Sequence, residues 1–582
     1  MGRTRRDFLK VSAAGAALAG TGCSQLGQES GELDGISDSP VGGEASSEAL
    51  RSAEALFDVS YTDAERAQII DGLEEWISRL ERLRAVEKPN DLAPASVFDP
   101  RLPGREYAPQ ENNVAGGGDS AGALPGSDAA IAFAPAWKQA QWLRRGTLTS
   151  QRLTEIYLQR IARHGGALEC FVTVTADLAR EQAARADREL AAGQDRGPLH
   201  GIPYGMKDII DVAGIPATWG ATPYRDRVAQ TDATVTALLA EAGAVHLGKT
   251  TNGAIAYGDL WFDGRTRNPW NLEEGSSGSS AGSASATAAG LVSFSIGTET
   301  LGSIVSPSNR CGTTGLRPTF GRVSRAGAMA LCWSLDKIGP ITRSVEDTAW
   351  VLAAINGEDA GDPGSIGHGF SADLGADVAG MRVGYNPAWF EAGSDADRAA
   401  LAAARDAGVE LVEFAMPDLP YDALFAVVEA ESAAAFEELT LSNRDDELRW
   451  QANAAWPNTW RRARLISAVD LINVDRLRRR VMQEIDQAMS GMEAVIGPNF
   501  AGAMLTITNY TGHPQLAVKS GYNNVASRLP AGVEASDPEA LYRVPQTTSV
   551  WAPLFREDAA LRLGLAIERR LGVAEDHPPQ FL

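Results

Sequence analysis

Two periods of hydrophobic residues organise the chain. Behind Thr62 and Glu65, spaced as a capping box, Ile69, Ile70, Leu73, Ile77, Leu80 and Leu83 fall on one stripe and predict an amphipathic helix. SQRLTEIYLQRIARHG and LAREQAARADRELAAG also carry helical spacing, whereas MKDIIDV reads as a strand. Val292, Phe294 and Ile296 lie on one face at period two, as in a half-buried strand, before the chain turns through residues 297–302. Alternating helical and strand patterns argue for an α/β domain. From about residue 381 the pattern is mostly helical, with Trp450, Trp456 and Trp460 close together and a strand-like MLTITNYTGHPQLAV later.

The same pattern divides the chain. Residues 128–575 make the main body, with a variable C-terminal part from about 381. A helical appendage and a Pro- and Gly-rich connection occupy 61–127. Residues 24–60 read as a disordered tether, since 24–50 lack Lys and Arg and are built from Ser, Gly, Ala and acidic residues. In residues 1–23, Arg5 and Arg6 precede Phe8, Leu9 and Lys10, a short apolar stretch and then Cys23, which resembles a twin-arginine export signal. The apolar stretch is too short to cross a bilayer. Cys23 also stands where a lipoprotein would be cleaved and acylated, although Leu18 is displaced from the usual position. The expectation is an exported, extracytoplasmic or periplasmic protein, with Cys23 as its one candidate membrane anchor.

Composition narrows the function. A chain of 582 residues that is 44% hydrophobic can bury a large core. Its net charge of −22 disfavours nucleic acid and anionic membranes as partners. Cys23, Cys170, Cys311 and Cys332 are widely spaced and the six His are scattered, so neither a disulfide framework nor a metal site is indicated.

Three motifs compete for the chemistry. GAVHLGKT, residues 243–250, matches the P-loop expression, but a helical pattern precedes it and Ala-Val-His-Leu is itself strand-like, so it reads as a helix-to-strand join ending at Lys249. GSSAG, residues 278–282, matches the nucleophile elbow and would nominate Ser280. That elbow needs a buried strand before it, and RNPWNLEEGSS is polar and turn-rich. The third reading joins GIPYGMKDIIDVAGIP around Lys207, GSSGSSAGSASATAAG around Ser279 and GTETLGSIVSPS around Ser303.

With NPWN, GLRPTFGRVSRAG and IGPITRSVEDTA, and a weaker echo in NYTGHPQLAV, these segments resemble the amidase signature family over about residues 130–363. The resemblance implies the family's α/β fold, a central mixed sheet flanked by helices, and a Ser-cisSer-Lys triad of Lys207, Ser279 and Ser303. It implies a cis bond between Gly278 and Ser279, and an oxyanion hole of backbone N–H groups at Glu299, Thr300, Leu301 and Gly302. Ser280 and Asp208 are supporting candidates, with structural roles as the plainer reading. Leu301 replaces a Gly, so strain is expected there if that position needs positive φ. Val305 stands where the tRNA-linked amidotransferase subunits have Arg, and TETLGSIVSPS looks closer to peptide and broad-range amidases.

The expected activity is hydrolysis of a small-molecule or peptide amide through an acyl-enzyme, without cofactor or metal. A neutral, buried Lys207 would take the proton of Ser303 through Ser279, and the same relay would protonate the leaving nitrogen. Alternatives are a glutamyl-tRNA amidotransferase-like protein of the tRNA-linked type, an esterase of the same family, and a catalytically silent binding protein.

Overall fold

The computed structural model describes residues 46–529, 533 and 535–582. The twin-arginine segment and Cys23 lie outside them. Among the described residues eleven strands form one mixed sheet. In chain order they are β1 (Phe171–Val174), β2 (Pro203–Lys207), β3 (Val245–Thr250), β4 (Phe294–Glu299), β5 (Thr314–Arg317), β6 (Lys337–Thr342), β7 (Arg382–Tyr385), β8 (Glu410–Glu413), β9 (Ala494–Pro498), β10 (Gln515–Val525) and β11 (Tyr542–Trp551). Their spatial order is β8-β7-β9-β11-β10-β5-β6-β4-β2-β3-β1. β2 pairs in parallel with both β3 and β4, while β4–β6, β5–β6, β5–β10 and β10–β11 are antiparallel.

Every residue of β2, β3, β4 and β6 is buried, because helices cover both faces of the sheet at its centre. The half-buried strand expected at Val292–Ile296 is therefore fully buried, and it starts at Phe294.

Several local readings change. Only Met206 and Lys207 of MKDIIDV are strand; the chain then turns, and Ile210 N–H closes back on Lys207 O at 3.0 Å. MLTITNYT is the helix Met504–Thr511, ended by Gly512 at φ 80°, and the strand begins only at Gln515. Its run of β-branched residues mimics strand propensity, but buried packing outweighs that preference. Residues Ser47–Phe57 of the expected tether form a helix capped by Ser46, and the Arg66–Glu54 ion pair ties it to the next helix. That next helix, Asp63–Arg84, carries the capping box expected at Thr62 and Glu65. The C-terminal part from 381 contributes five sheet strands besides its helices. Trp460 is fully buried and stacked between Phe436 and Trp456, a core position.

Candidate active site

The Ser- and Gly-rich segment 275–290 is a turn followed by a buried helix. Ala281–Ala288 is helical with every residue buried. Its small side chains allow the backbone to approach the sheet closely: a Cβ on Gly282 would lie 2.3 Å from Cys170 O and 2.4 Å from Thr251 N. Its hydroxyls spaced i, i+3, i+7 run along β4. Ser280 Oγ donates to Thr298 O (3.0 Å) and accepts from Thr298 N–H (3.1 Å), Ser283 Oγ donates to Ile296 O (3.0 Å), and Thr287 Oγ1 donates to Ser295 Oγ (3.0 Å). The peptide bond between Gly278 and Ser279 is cis. A side chain at Gly278 would meet Gly258 O at 1.8 Å.

Lys207 ends β2 beneath this turn. Its Nζ donates to Ser279 Oγ (2.8 Å), Thr298 Oγ1 (2.8 Å) and Ser280 Oγ (3.1 Å). Among the described residues no carboxylate is one of its hydrogen-bond partners. Burial disfavours the ammonium, Asp336 and Glu299 only partly offset this from further away, and the amine is pulled from the usual 10.5 down to about 7.

Ser303 follows β4 on the turn 300–303. Ser280 N–H donates to Ser303 O at 3.1 Å, which clasps this turn to the one holding Ser279. Ser303 is 9% exposed, and among the described residues its hydroxyl makes no hydrogen bond, so the link between Ser279 and Ser303 is not closed in the free chain. The backbone N–H groups of Thr300, Leu301 and Gly302 donate to no protein acceptor among the described residues. Gly302 carries the positive φ of this turn, 98°, and Leu301 does not, so the strain expected at Leu301 is absent. Leu301 instead packs against an apolar cluster that includes Met504 and Leu335.

Glu299, expected only as a backbone donor, is the last residue of β4, and its side chain organises the turn. One carboxylate oxygen accepts from Ile304 N–H (2.9 Å) and Val305 N–H (3.0 Å), the first turn of the helix Val305–Cys311. The other accepts from Arg317 (2.8 Å) and Asn509 (3.0 Å). Burial would raise this carboxyl, but the charge of Arg317 and these donors outweigh it and hold it below its ordinary value. Arg317 also reaches Thr508, Gln515 and His513 O, which gives the NYTGHPQLAV echo a physical meaning. Thr298, Arg317 and Asn509 were missed from sequence.

Asp208 faces Thr218 and Lys249 rather than Ser279. It is buried, accepts from Thr218 N–H at 3.0 Å and lies 3.3 Å from the ammonium of Lys249. Burial pushes Asp208 up and Lys249 down, and each partly offsets the shift of the other. Lys249 lies in β3 with no exposure, in no phosphate-cradling loop. Among the described residues no group of His, Cys, Asp and Glu could hold a metal ion.

A buried lysine amid serine hydroxyls, beside a turn of free N–H groups, is the arrangement of a serine-dependent hydrolase. The Amidase family model matches residues 152–540, and the chain belongs to the amidase signature family. It is similar to the A-subunit of the glutamyl-tRNA(Gln) amidotransferase of Roseiflexus castenholzii (strain DSM 13941 / HLO8), 34% identical over 480 residues that cover 72% of this chain and 97% of the relative. With its namesake from Roseiflexus sp. (strain RS-1) it shares 42% identity over 305 residues, 50% of this chain and 62% of that one. Among solved structures, native peptide amidase from Stenotrophomonas maltophilia is similar with a TM-score of 0.65 at 28% identity, covering 75% of this chain and 97% of that chain.

Proposed function

We propose that this protein is an amidase that hydrolyses carboxamide C–N bonds through an acyl-enzyme on Ser303. The observation that carries this reading is Lys207: a buried amine, pulled down to about 7, in contact with three hydroxyls. Ser303 Oγ attacks the carbonyl carbon as its proton passes to Ser279 Oγ, whose own proton passes to Lys207 Nζ. The N–H groups of Thr300, Leu301 and Gly302 face the developing oxyanion. Collapse of the tetrahedral adduct returns the proton through Ser279 to the leaving nitrogen, which departs as ammonia or an amine. Water then cleaves the acyl ester by the same relay and restores the Ser303 hydroxyl. Ser280 fastens the cis turn to Thr298, and Asp208 with Lys249 braces the chain behind Lys207. Ser303→Ala should lose at least about a thousandfold in kcat at unchanged thermal stability. Activity near the original level would overturn the assignment.

A second reading, a component of a tRNA-dependent amidotransferase, is favoured by the similarity to the Roseiflexus proteins. Against it, Val305 is buried beside Leu505 and Ala517, an apolar wall where the tRNA-linked subunits carry Arg. Turnover of simple amides by the isolated chain supports the amidase; turnover only with glutamine and partner proteins supports the amidotransferase.

Export is part of the proposal and rests on Arg5, Arg6 and the apolar stretch before Cys23. Among the described residues no helix is long and apolar enough to cross a membrane. Replacing both arginines by Lys should trap the precursor inside the cell, and equal export of the variant would refute the twin-arginine reading. Mature protein that stays out of a detergent phase would remove only the Cys23 anchor.

A further inference from the structure

A cavity of about 150 Å³ is lined by residues that include Thr298, Thr300, Ala330, Lys337, Asp91 and Ala93. Thr298 is the threonine that Lys207 contacts, so one side chain stands between the cavity and the candidate catalytic lysine, and Thr300 brings the candidate oxyanion turn to its wall. Asp91 and Ala93 belong to the connection that precedes the family match at 152–540.

This connection is pinned on both sides of the cavity. Asn90 pairs reciprocally with the backbone of Ala330, donating from Nδ2 to Ala330 O (2.8 Å) and accepting from Ala330 N–H at Oδ1 (2.8 Å). Trp333 Nε1 adds a bond to Asn90 O at 3.3 Å. Further along, Phe98 packs edge-on against Phe320, with centroids 5.0 Å apart, and the Arg478 guanidinium sits 3.5 Å from the centre of its ring. Residues 90–98 thus form a docked strap.

Among the described residues, the charged groups around the cavity have hydrogen-bond partners with one exception. Arg325 holds Asp362 by two bonds, at 2.9 and 2.7 Å. Asp336 accepts from the Thr300 hydroxyl and from the N–H groups of Leu331 and Cys332. Lys337 is buried and donates to Leu335 O, and burial holds its amine well below the ordinary value. Asp91 is exposed and, among the described residues, has no hydrogen bond or ion pair.

From this geometry we infer that the strap is a specificity element of the amidase site, and that Asp91 selects amides bearing a cationic amine over amides bearing a carboxylate. The inference rests on the amidase reading, so the test includes a readout that does not need turnover. Matched primary amides serve as probes: N-acetyl-lysinamide, N-acetyl-norleucinamide and the 1-amide of N-acetylglutamate. In the full chain, kcat/KM for the cationic amide relative to the neutral one should exceed unity. Asp91→Asn should lower this ratio by about two- to fivefold, the range of a rim ion pair in water. Asp91→Lys should invert the order of the cationic and anionic amides, and Asn90→Ala, which frees the strap from Ala330, should shrink the ratio as Asp91→Asn does. The same order should appear in calorimetric binding to the Ser303→Ala protein. Failure to hydrolyse any amide, with the binding order kept, would count against the amidase and leave the strap standing. Binding and kinetic ratios unchanged in both Asp91 variants, or equal losses on all three probes, would overturn the strap's role.

Discussion

If Lys207 is the base, the acidic limb of the pH profile belongs to it. Its amine is pulled to about 7, and only the neutral form can accept a proton. The kcat/KM of an amide should therefore rise about tenfold per pH unit up to pH ~7 and level off above it, standing near one hundredth of its plateau at pH ~5. A lysine at its ordinary value of 10.5 would keep activity climbing towards pH 10.5. The assay is initial rates on an amide and its matched ester from acid to alkaline pH, with wild type, Lys207→Ala and a control at Lys519. Burial also pulls Lys519 to about 7, but it sits against Trp270 and donates to Asp576 O, so Lys519→Met should leave the limb in place. Lys207→Ala should lose more on the amide than on the ester, since the amide nitrogen must also be protonated to leave. Equal losses, or a limb with the same midpoint in Lys207→Ala, would refute Lys207 as the base. Stability carries the same signature. The folded amine near 7 and the unfolded amine near 10.5 mean that the unfolded chain binds more protons between those values, so stability rises with pH across that window. Below pH 7 the full cost of about 5 kcal/mol remains. Lys207→Met removes that cost and loses hydrogen bonds worth about 1 kcal/mol each. It should stabilise the fold by roughly 1–2 kcal/mol at pH 7, with the advantage shrinking and reversing towards pH 10.5.

Other substitutions test the supports of the site. Glu299→Gln leaves the fully buried Arg317 guanidinium without its counter-charge, and urea unfolding should show a loss of about 3–5 kcal/mol, partly recovered by adding Arg317→Met. Gly282→Ala forces a Cβ onto the backbone at Cys170 and Thr251 and should cost roughly 1–3 kcal/mol, whereas Gly166→Ala, in a helix with open space around it, should be neutral or stabilising by thermal melt. Lys249→Met should destabilise by orphaning the Asp208 carboxylate and leave nucleotide binding, measured by calorimetry, absent as in wild type; nucleotide binding lost with this lysine would revive the P-loop.

The elements that could be read from sequence were those whose signal is local. The capping box at Thr62 and Glu65, the helical spacing before residue 191 and the alternation ending at Ile296 all appear as regular structure. The strand-like reading of Met504–Thr511 failed because Ile507, Thr508 and Thr511 have β propensity, yet all three are buried in a helix whose Thr508 and Asn509 reach Arg317 and Glu299. Those partners stand 191 and 210 residues apart in sequence, a separation at which no local pattern carries information. Glu299 was singled out for its backbone because its position in the TET turn is visible; its carboxylate network is not, since Arg317 reaches it through the sheet order β4-β6-β5 and Asn509 from the helix Met504–Thr511.

The same distinction explains why a linker-like composition can encode a fully buried, closely packed helix. Ser, Gly and Ala over 275–290 lower hydrophobicity as a flexible tether would, and composition alone cannot separate the two. What separates them is where the hydroxyls go. Ser280, Ser283 and Thr287 meet Thr298, Ile296 and Ser295 in reverse order along β4, so each hydroxyl is satisfied within the protein and the helix needs no bulky side chains to hold it against the sheet. A bulkier residue on that face would push the helix outward and carry Ser279 away from Lys207, and an apolar one of equal size would leave β4 polar groups unpaired. Small polar residues are thus the composition that brings the Lys207 amine within 2.8 Å of Ser279 Oγ while keeping water from the ammonium, and the low pKa of that lysine follows from the closeness of the packing.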